Sequence, residues 1–302
     1  MNLNYLRRLT GKHSIIKIFF YPIILMRRYF LNRKNQSQRK IVGNMAELFQ
    51  SEPILKVQEF QGEFSMDAHS DIFFRLMTER NYEAELVDFC KKYLNAERDV
   101  IDIGANIGFY TVMFAKRINS NRKVLSIEPI NNAIRLLKLN IKANNVIEKV
   151  EVFEGVASDK AGILTIKTIK NKEEFSTLGS MKHPSVINEP YETEEVMSST
   201  IDELIFSKAL IPGFIKIDVE GSEYLVIKGA CRVLKEFRPI LLSELSDYLL
   251  KENGSSSREV IEMIKKHDYD VFDPIDGTND VGWKKFGDIV CFPKEMGIKF
   301  EP

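Results

Sequence analysis

Three ionisable residues alternate with three branched aliphatic ones in Ile215-Lys-Ile-Asp-Val-Glu220 of this 302-residue sequence. In a strand, Lys216, Asp218 and Glu220 would share one face, with Ile215, Ile217 and Val219 on the other. A central parallel strand is apolar on both faces, so three ionisable side chains near its exit call for a crevice. There Asp218 or Glu220 could take a proton from a hydroxyl, a general-base contribution of roughly 10²–10⁴-fold, with Lys216 pairing one of them. The same cluster could instead anchor the Gly221 turn and the next helix, where Glu223 would favour the helix dipole.

A second constellation lies upstream. Val100, Ile101 and Ile103 form a short apolar run that breaks at Gly104-Ala-Asn-Ile-Gly108, then resumes with helical spacing at Phe109, Val112 and Met113. A strand turning through glycines into a helix presents backbone N–H groups to a ligand. Asp102 falls inside the apolar run, where an unpaired polar group would cost about 2–7 kcal/mol, so something polar should meet it. Twenty residues past Gly108, Glu128-Pro129 closes the next apolar run. Nucleotide-binding α/β folds put there the carboxylate that takes ribose hydroxyls. The dinucleotide fingerprint is incomplete, because Asn106 holds its central glycine position. A pyrophosphate wants bare backbone at that point, whereas a cofactor with an amino-acid end, such as S-adenosylmethionine, does not.

These residues need a sheet to position them. Tyr82–Leu94 has helical spacing, and apolar runs at Lys123–Glu128, Val150–Phe153, Gly162–Ile169, Gly213–Gly221 and Pro239–Leu245 read as strands. Helices are expected at Asn131–Ile141, after Ser222 as a cap and on to Leu234, and at Glu259–Lys266. Tyr269–Phe272 and Asp288–Phe292 suit an antiparallel hairpin around Asp276-Gly277, and Leu55–Phe60 with Phe64–Met66 a second one around Gln61-Gly62. Residues 170–198 are polar and without clear period, which reads as a long functional loop. Strand–helix alternation with an antiparallel end predicts a doubly wound α/β sheet, with ligands at the carboxyl ends of its strands. Those ends carry Asp102 to Asn106, Glu128, Glu154, and Asp218 with Glu220.

Charge divides the chain. Ten Lys or Arg and no acid precede Glu47, although the whole sums to zero, so a basic head joins an acidic body. Ser14–Met26 is apolar but interrupted by Lys17 and Pro22, too short to span a bilayer of about 30 Å. It suits peripheral membrane contact through residues 1–45 or packing on the acidic body; residues 32–45 read as a linker. The basic arm and acidic body are the reverse of a phosphate-tracking groove, so no nucleic acid partner is expected. Three dispersed cysteines and four dispersed histidines suggest a reducing cytoplasm and no His/Cys metal centre. The expected organisation is an extension over 1–60 and a catalytic domain over 61–302.

Asp102-Ile-Gly-Ala-Asn-Ile-Gly-Phe-Tyr-Thr111, Glu128-Pro129 and Lys216-Ile-Asp-Val-Glu-Gly-Ser-Glu223 resemble the FkbM family of S-adenosylmethionine-dependent methyltransferases. Asn140 to Asn145, Gly229-Ala230, Pro239 and Glu244 fit the same pattern, over roughly 81–293. The resemblance implies a class I methyltransferase (Rossmann-like) fold and O-methylation of a small-molecule hydroxyl, with a sugar or lipid-linked glycan as acceptor. It implies that Gly104, Ala105, Asn106 and Gly108 hold the methionine end and Glu128 the ribose. Tyr82 and Glu83 would line the pocket, with Pro129 beside it, Glu154 or Ala157 near the adenine, and Asp102 fixing the turn. Mg²⁺ held by Asp218, Glu220 and Glu244 stays open, as does His183 as the base. The alternatives are an NAD(P)-dependent oxidoreductase, disfavoured by Asn106, and an inactive nucleoside-binding relative. The acceptor and the oligomeric state are not readable from the sequence.

Overall fold

The computed structural model describes residues 52–78, 82–169, 176–179, 189–275, 277–278 and 280–299. The segment 14–26, the linker 32–45 and His183 lie outside the described residues. Among the described residues, no helix is long and apolar enough to cross a membrane.

The described chain opens with a hairpin, β1 (Ile54–Val57) and β2 (Gly62–Ser65), followed by α1 (Asp71–Thr78) and α2 (Ala84–Tyr93). Alternation then sets in with β3 (Asp99–Ile103), α3 (Phe109–Arg117), β4 (Val124–Glu128), α4 (Asn131–Ala143) and β5 (Val150–Ala157). Next come β6 (Gly162–Thr168), β7 (Glu192–Ser199), α5 (Ile201–Ser207), β8 (Pro212–Ile217), α6 (Glu223–Lys228) and α7 (Cys231–Glu236). The end is β9 (Ile240–Ser246), α8 (Asp247–Glu252), α9 (Ser257–Lys266), β10 (Tyr269–Phe272) and β11 (Phe286–Pro293).

Nine strands make one sheet in the order β10-β11-β9-β8-β3-β4-β5-β7-β6. The centre, β5-β4-β3-β8-β9, is parallel. At one edge β11 enters antiparallel between β9 and β10; at the other, β7 runs parallel to β5 and β6 antiparallel to β7. Period-two alternation splits the core into two layers: Val100 of β3 packs with Val112 and Phe114 of α3, whereas Ile101 and Ile103 pack with Val226, Val233 and Ile261. Both faces are therefore helix-covered, as a parallel sheet requires.

Four expectations change. The boundary expected after residue 60 falls inside a hairpin whose two strands belong to the folded body. Its Phe60 stacks on Phe109 at 5.0 Å and Phe64 meets the same ring edge-on at 4.6 Å, at the start of α3. The polar segment 170–198 is not all loop, since Glu192–Ser199 forms a strand between β5 and β6 whose exposed acids hid its period. The helix expected from Ser222 to Leu234 breaks at Gly229, where a Cβ would lie 2.0 Å from the Ser158 carbonyl oxygen. Ser222 makes no side-chain cap, and the Glu223 carboxylate accepts the Gly221 N–H in the turn before the helix.

Asn140 of α4 and Asn144 at its C-terminal cap act as a substitute strand for β2. Asn140 accepts the Ser65 N–H at 2.7 Å and donates to the carbonyls of Ser65 and Ile107, at 3.0 and 2.8 Å. Asn144 makes the same two-way exchange with Glu63. The fully buried Asn140 thus joins the hairpin to the residue inside the glycine turn. Replacing it by Ala removes three hydrogen bonds of about 1 kcal/mol each and strands buried backbone groups. Asn140→Ala is expected to lower unfolding free energy by about 2–4 kcal/mol in denaturant titration, against a change near zero for the exposed Lys142→Ala.

Candidate active site

A cleft of about 700 Å³ opens along the carboxyl ends of the central strands. Ile103 leaves β3 into Gly104 at φ +77°, Asn106 at φ +49° and Gly108 at φ +94°, three left-handed residues in five. Gly104 is required for a steric reason: a Cβ there would lie 1.8 Å from the Asp218 carbonyl oxygen. The ends of β3 and β8 therefore touch backbone to backbone. The turn is held by the N–H groups of Gly104 and Ala105 on the Ile127 carbonyl and by the Gly108 N–H on that of Ala105.

Glu128 fastens the turn to β4. One carboxylate oxygen accepts the Asn106 N–H at 2.8 Å, the other the Ile130 N–H at 3.0 Å. Burial pushes its carboxyl up to about 7, against the downward pull of those two N–H donors. Asp102 is fully buried beneath the turn. The polar partner that its position demanded is Thr111 of α3, whose hydroxyl donates to Oδ2 at 2.6 Å, while Oδ1 has no hydrogen-bond partner. Burial raises the Asp102 pKa, and the Lys216 charge opposes that rise.

Lys216 is the cation of this floor. Its Nζ bonds Asp218 Oδ2 at 3.0 Å and sits 4.7 Å from the Tyr110 ring centroid. Burial alone would lower its pKa, but the charges of Asp218, Asp102 and Glu83 raise it, so it stays an ammonium. The Tyr110 hydroxyl donates to Glu83 at 3.0 Å, and Arg75 of α1 lies 3.8 Å from Glu83 and over the Tyr82 ring. Beyond Lys216, Glu244 of β9 and Asp288 of β11 face each other across the strand pair. Burial and the neighbouring acids push them up to about 9 and about 7.

Residues 102–271, more than half of the chain, match the Methyltransferase FkbM domain. The chain belongs to the FkbM methyltransferase family. No curated protein sequence matches it. Among solved structures it is similar to the methyltransferase FkbM from Methylobacillus flagellatus KT, with 19% identity, TM-score 0.44, and coverage of 73% of this chain and 50% of that one. The chain thus spans about half the length of that relative. It is also similar to the O-methyltransferase from Bacillus cereus in complex with SAH (14% identity, TM-score 0.38, 85% and 90% covered). M. jannaschii TYW2 in complex with AdoMet is a third (14%, 0.38, 81% and 86%).

In this FkbM domain the cleft gathers Tyr82, Glu83, Asp102, Gly104, Ala105, Asn106, Gly108, Glu128, Pro129, Ala157, Lys216, Asp218 and Glu220. Glu154 is not among them. It lies three residues before the end of β5, exposed, and pairs with Lys138 of α4 at 2.5 Å; the cleft begins one residue later, at Gly155. The strand was expected to stop at Phe153, and its extra length moves Glu154 off the rim. Lys216 and Asp218 share a side as alternation predicts, but β8 ends at Ile217 and Glu220 reaches the cleft from a left-handed turn residue at φ +49°. Among the described residues, no three His, Cys, Asp or Glu side chains form a group that could hold a metal, so the Mg²⁺ set left open at Asp218, Glu220 and Glu244 gains no support.

Sequence reasoning missed Asp288, Arg75 and an apolar slot made by Ile130, Val156, Ile166 and Leu178. Asp288 carries the signal that exposed Asp102, an acid within an apolar strand. The slot carries none, because it assembles from four separate stretches.

Glu128, Asp288, Glu223 and Glu244 are held at about 7, 7, 7 and 9, so the folded protein binds protons that the unfolded chain releases near its ordinary carboxylate range. Their contribution to stability is fully present below the unfolded value and falls as pH rises through the folded ones. The ligand-free protein should therefore lose more melting temperature between about pH 5 and about pH 8 than the Glu128→Gln/Asp288→Asn double variant. Parallel melting curves for the two would refute this.

Proposed function

We propose that the protein is an S-adenosylmethionine-dependent O-methyltransferase acting on a hydroxyl of a sugar or glycan. The observation that carries this is the charge and shape of the cleft. Glu83, Asp102 and Asp218 surround Lys216, with Glu128 on the neighbouring strand, at a glycine turn whose central residue bears a side chain. Such a field suits a cofactor with a cationic sulfonium and an ammonium, and repels a diphosphate. The fit extends to detail: Gly104 leaves room that a Cβ would fill, and the buried Oδ1 of Asp102 lacks a partner.

When bound, S-adenosylmethionine supplies an electrophilic methyl group. Glu128 would accept the ribose hydroxyls, and Ile130, Val156, Ile166 and Leu178 would enclose the adenine. Glu83 and the turn Gly104–Gly108 would hold the methionine end. Asp218, oriented by buried Lys216 through their 3.0 Å bond, would take the proton from the acceptor hydroxyl. Ile72 and Arg75 of α1 line the mouth and narrow the path for water. In methyl transfer the enzyme's tools are alignment, desolvation and the removal of that proton.

Calorimetry should detect S-adenosylmethionine binding and no NAD binding; the reverse would overturn the reading. Asp218→Asn should keep cofactor affinity within about twofold and lose about 10²–10⁴-fold in turnover, the range for a general base. Transfer of a labelled methyl group to candidate glycans measures it. Full activity in the variant would remove Asp218 from the mechanism.

A further inference from the structure

The end of the cleft beyond Lys216 has a chemistry of its own. The order of the strands gives its role, which rests on the methyltransferase reading. Ribose at Glu128 on β4 and adenine beside β5 leave the reactive end of the cofactor over β3 and β8. Continuing in the same direction along the sheet come β9 with Glu244 and β11 with Asp288. These two carboxyls therefore face the space left for the acceptor.

They are directly paired across the antiparallel strands, and both line the cleft. Among the described residues, no donor makes a hydrogen bond to either carboxyl. The cations close to them are committed elsewhere: Lys216 from β8 bonds Asp218, and Lys284, before β11, bonds Asp273. The other charged groups that face the pair, Asp218 and Glu83, are themselves acids. Burial and this surplus of negative charge drive Glu244 to about 9 and Asp288 to about 7, the response of carboxyls that lack a counter-ion. Beside them the lip of the cleft carries Phe286, 63% exposed, and Ile275, 60% exposed. Two bare apolar side chains at the mouth of a polar pocket offer a face on which a ring can pack.

We propose that Glu244 and Asp288 bind an ammonium group of the acceptor, which makes the acceptor a basic hydroxyl compound, an amino sugar, with Phe286 and Ile275 packing on its ring. An ammonium between the two carboxyls offsets one negative charge and supplies the donors that both lack. A neutral diol offers no cation to replace the protons that the pair retains. A uronic acid or sugar phosphate would bring a further negative charge to it.

The test uses the full chain and three probes that differ in charge: the methyl glycosides of 2-amino-2-deoxyglucose, glucose and glucuronic acid. Ligand-observed NMR titration should give the amino glycoside at least about tenfold tighter binding than the neutral one, the scale of one desolvated charge pair, and the uronide the weakest. Glu244→Gln/Asp288→Asn should abolish that order. Phe286→Ala should weaken the amino glycoside in a protein that still melts cooperatively, which guards against a misfolded double variant. Equal affinities, no binding of the amino glycoside, or a preference that survives the double variant would overturn the proposal. Calorimetry with S-adenosylmethionine on the same samples is a separate readout. The affinity should not change in the variants, and a wild-type protein that fails to bind it would overturn the methyltransferase reading itself.

Discussion

The ammonium of Lys216 is the charge around which the carboxyl ends of the sheet can exist. Asp102, Asp218 and Glu83 all act on it, from β3, the end of β8 and the approach to α2. Without a central cation, those acids would have to be protonated or the strand ends would have to part. Breaking a buried pair by removing one partner typically costs about 3–5 kcal/mol. The half-solvated Asp218, with its side chain 37% exposed, puts this site at the lower end of that range. The Tyr110 ring beneath Nζ completes the enclosure and is tied to Glu83 by its hydroxyl. One cation thus couples three elements that also form the floor of the cleft.

The backbone contact between Gly104 and Asp218 depends on the same arrangement. Two parallel strands whose ends meet at van der Waals distance leave no space between them for a side chain, so the turn after β3 must begin with glycine. From that contact the chain passes through two more left-handed residues into α3, and Glu128 pins the middle of the turn to β4. The hairpin β1–β2 braces it from outside through Phe60, Phe64 and Asn140. Phe60, assigned from the sequence to an extension, therefore helps to support the glycine turn.

Polar strain is concentrated on one side of the molecule. Raised carboxyl pKa values occur at Asp102, Glu128, Glu244 and Asp288, which line one cleft, and at Glu223 in the turn beside it. The exposed pairs elsewhere, such as Lys228 with Asp159 or Arg238 with Glu295, are ordinary surface contacts that contribute little. A fold that keeps several under-compensated acids together is less stable than one without them. That cost is reasonable where a cationic ligand completes the balance.

Much of this was legible in the sequence, for physical reasons. Period-two and helical patterns located β3, β4, β8, β9 and the helices between them, because burial imposes those periods. The glycine turn, Glu128 and the Lys216–Asp218 pair were visible because each breaks a local rule, a glycine or a charge where an apolar residue belongs. Misplaced features, by contrast, depend on distant neighbours. Glu154 left the site because β5 runs four residues longer than its apolar run, drawn out by pairing with β7. The helix after Ser222 breaks at Gly229 because the Ser158 backbone lies against it. β7 was hidden because a strand with exposed acids carries little apolar pattern. The sequence by itself determined which residues could do chemistry, since residue type and local period are properties of the chain. Only the tertiary structure decided that Glu244 and Asp288 meet, since antiparallel entry of β11 beside β9 is a matter of strand order, and strand order is not a local property.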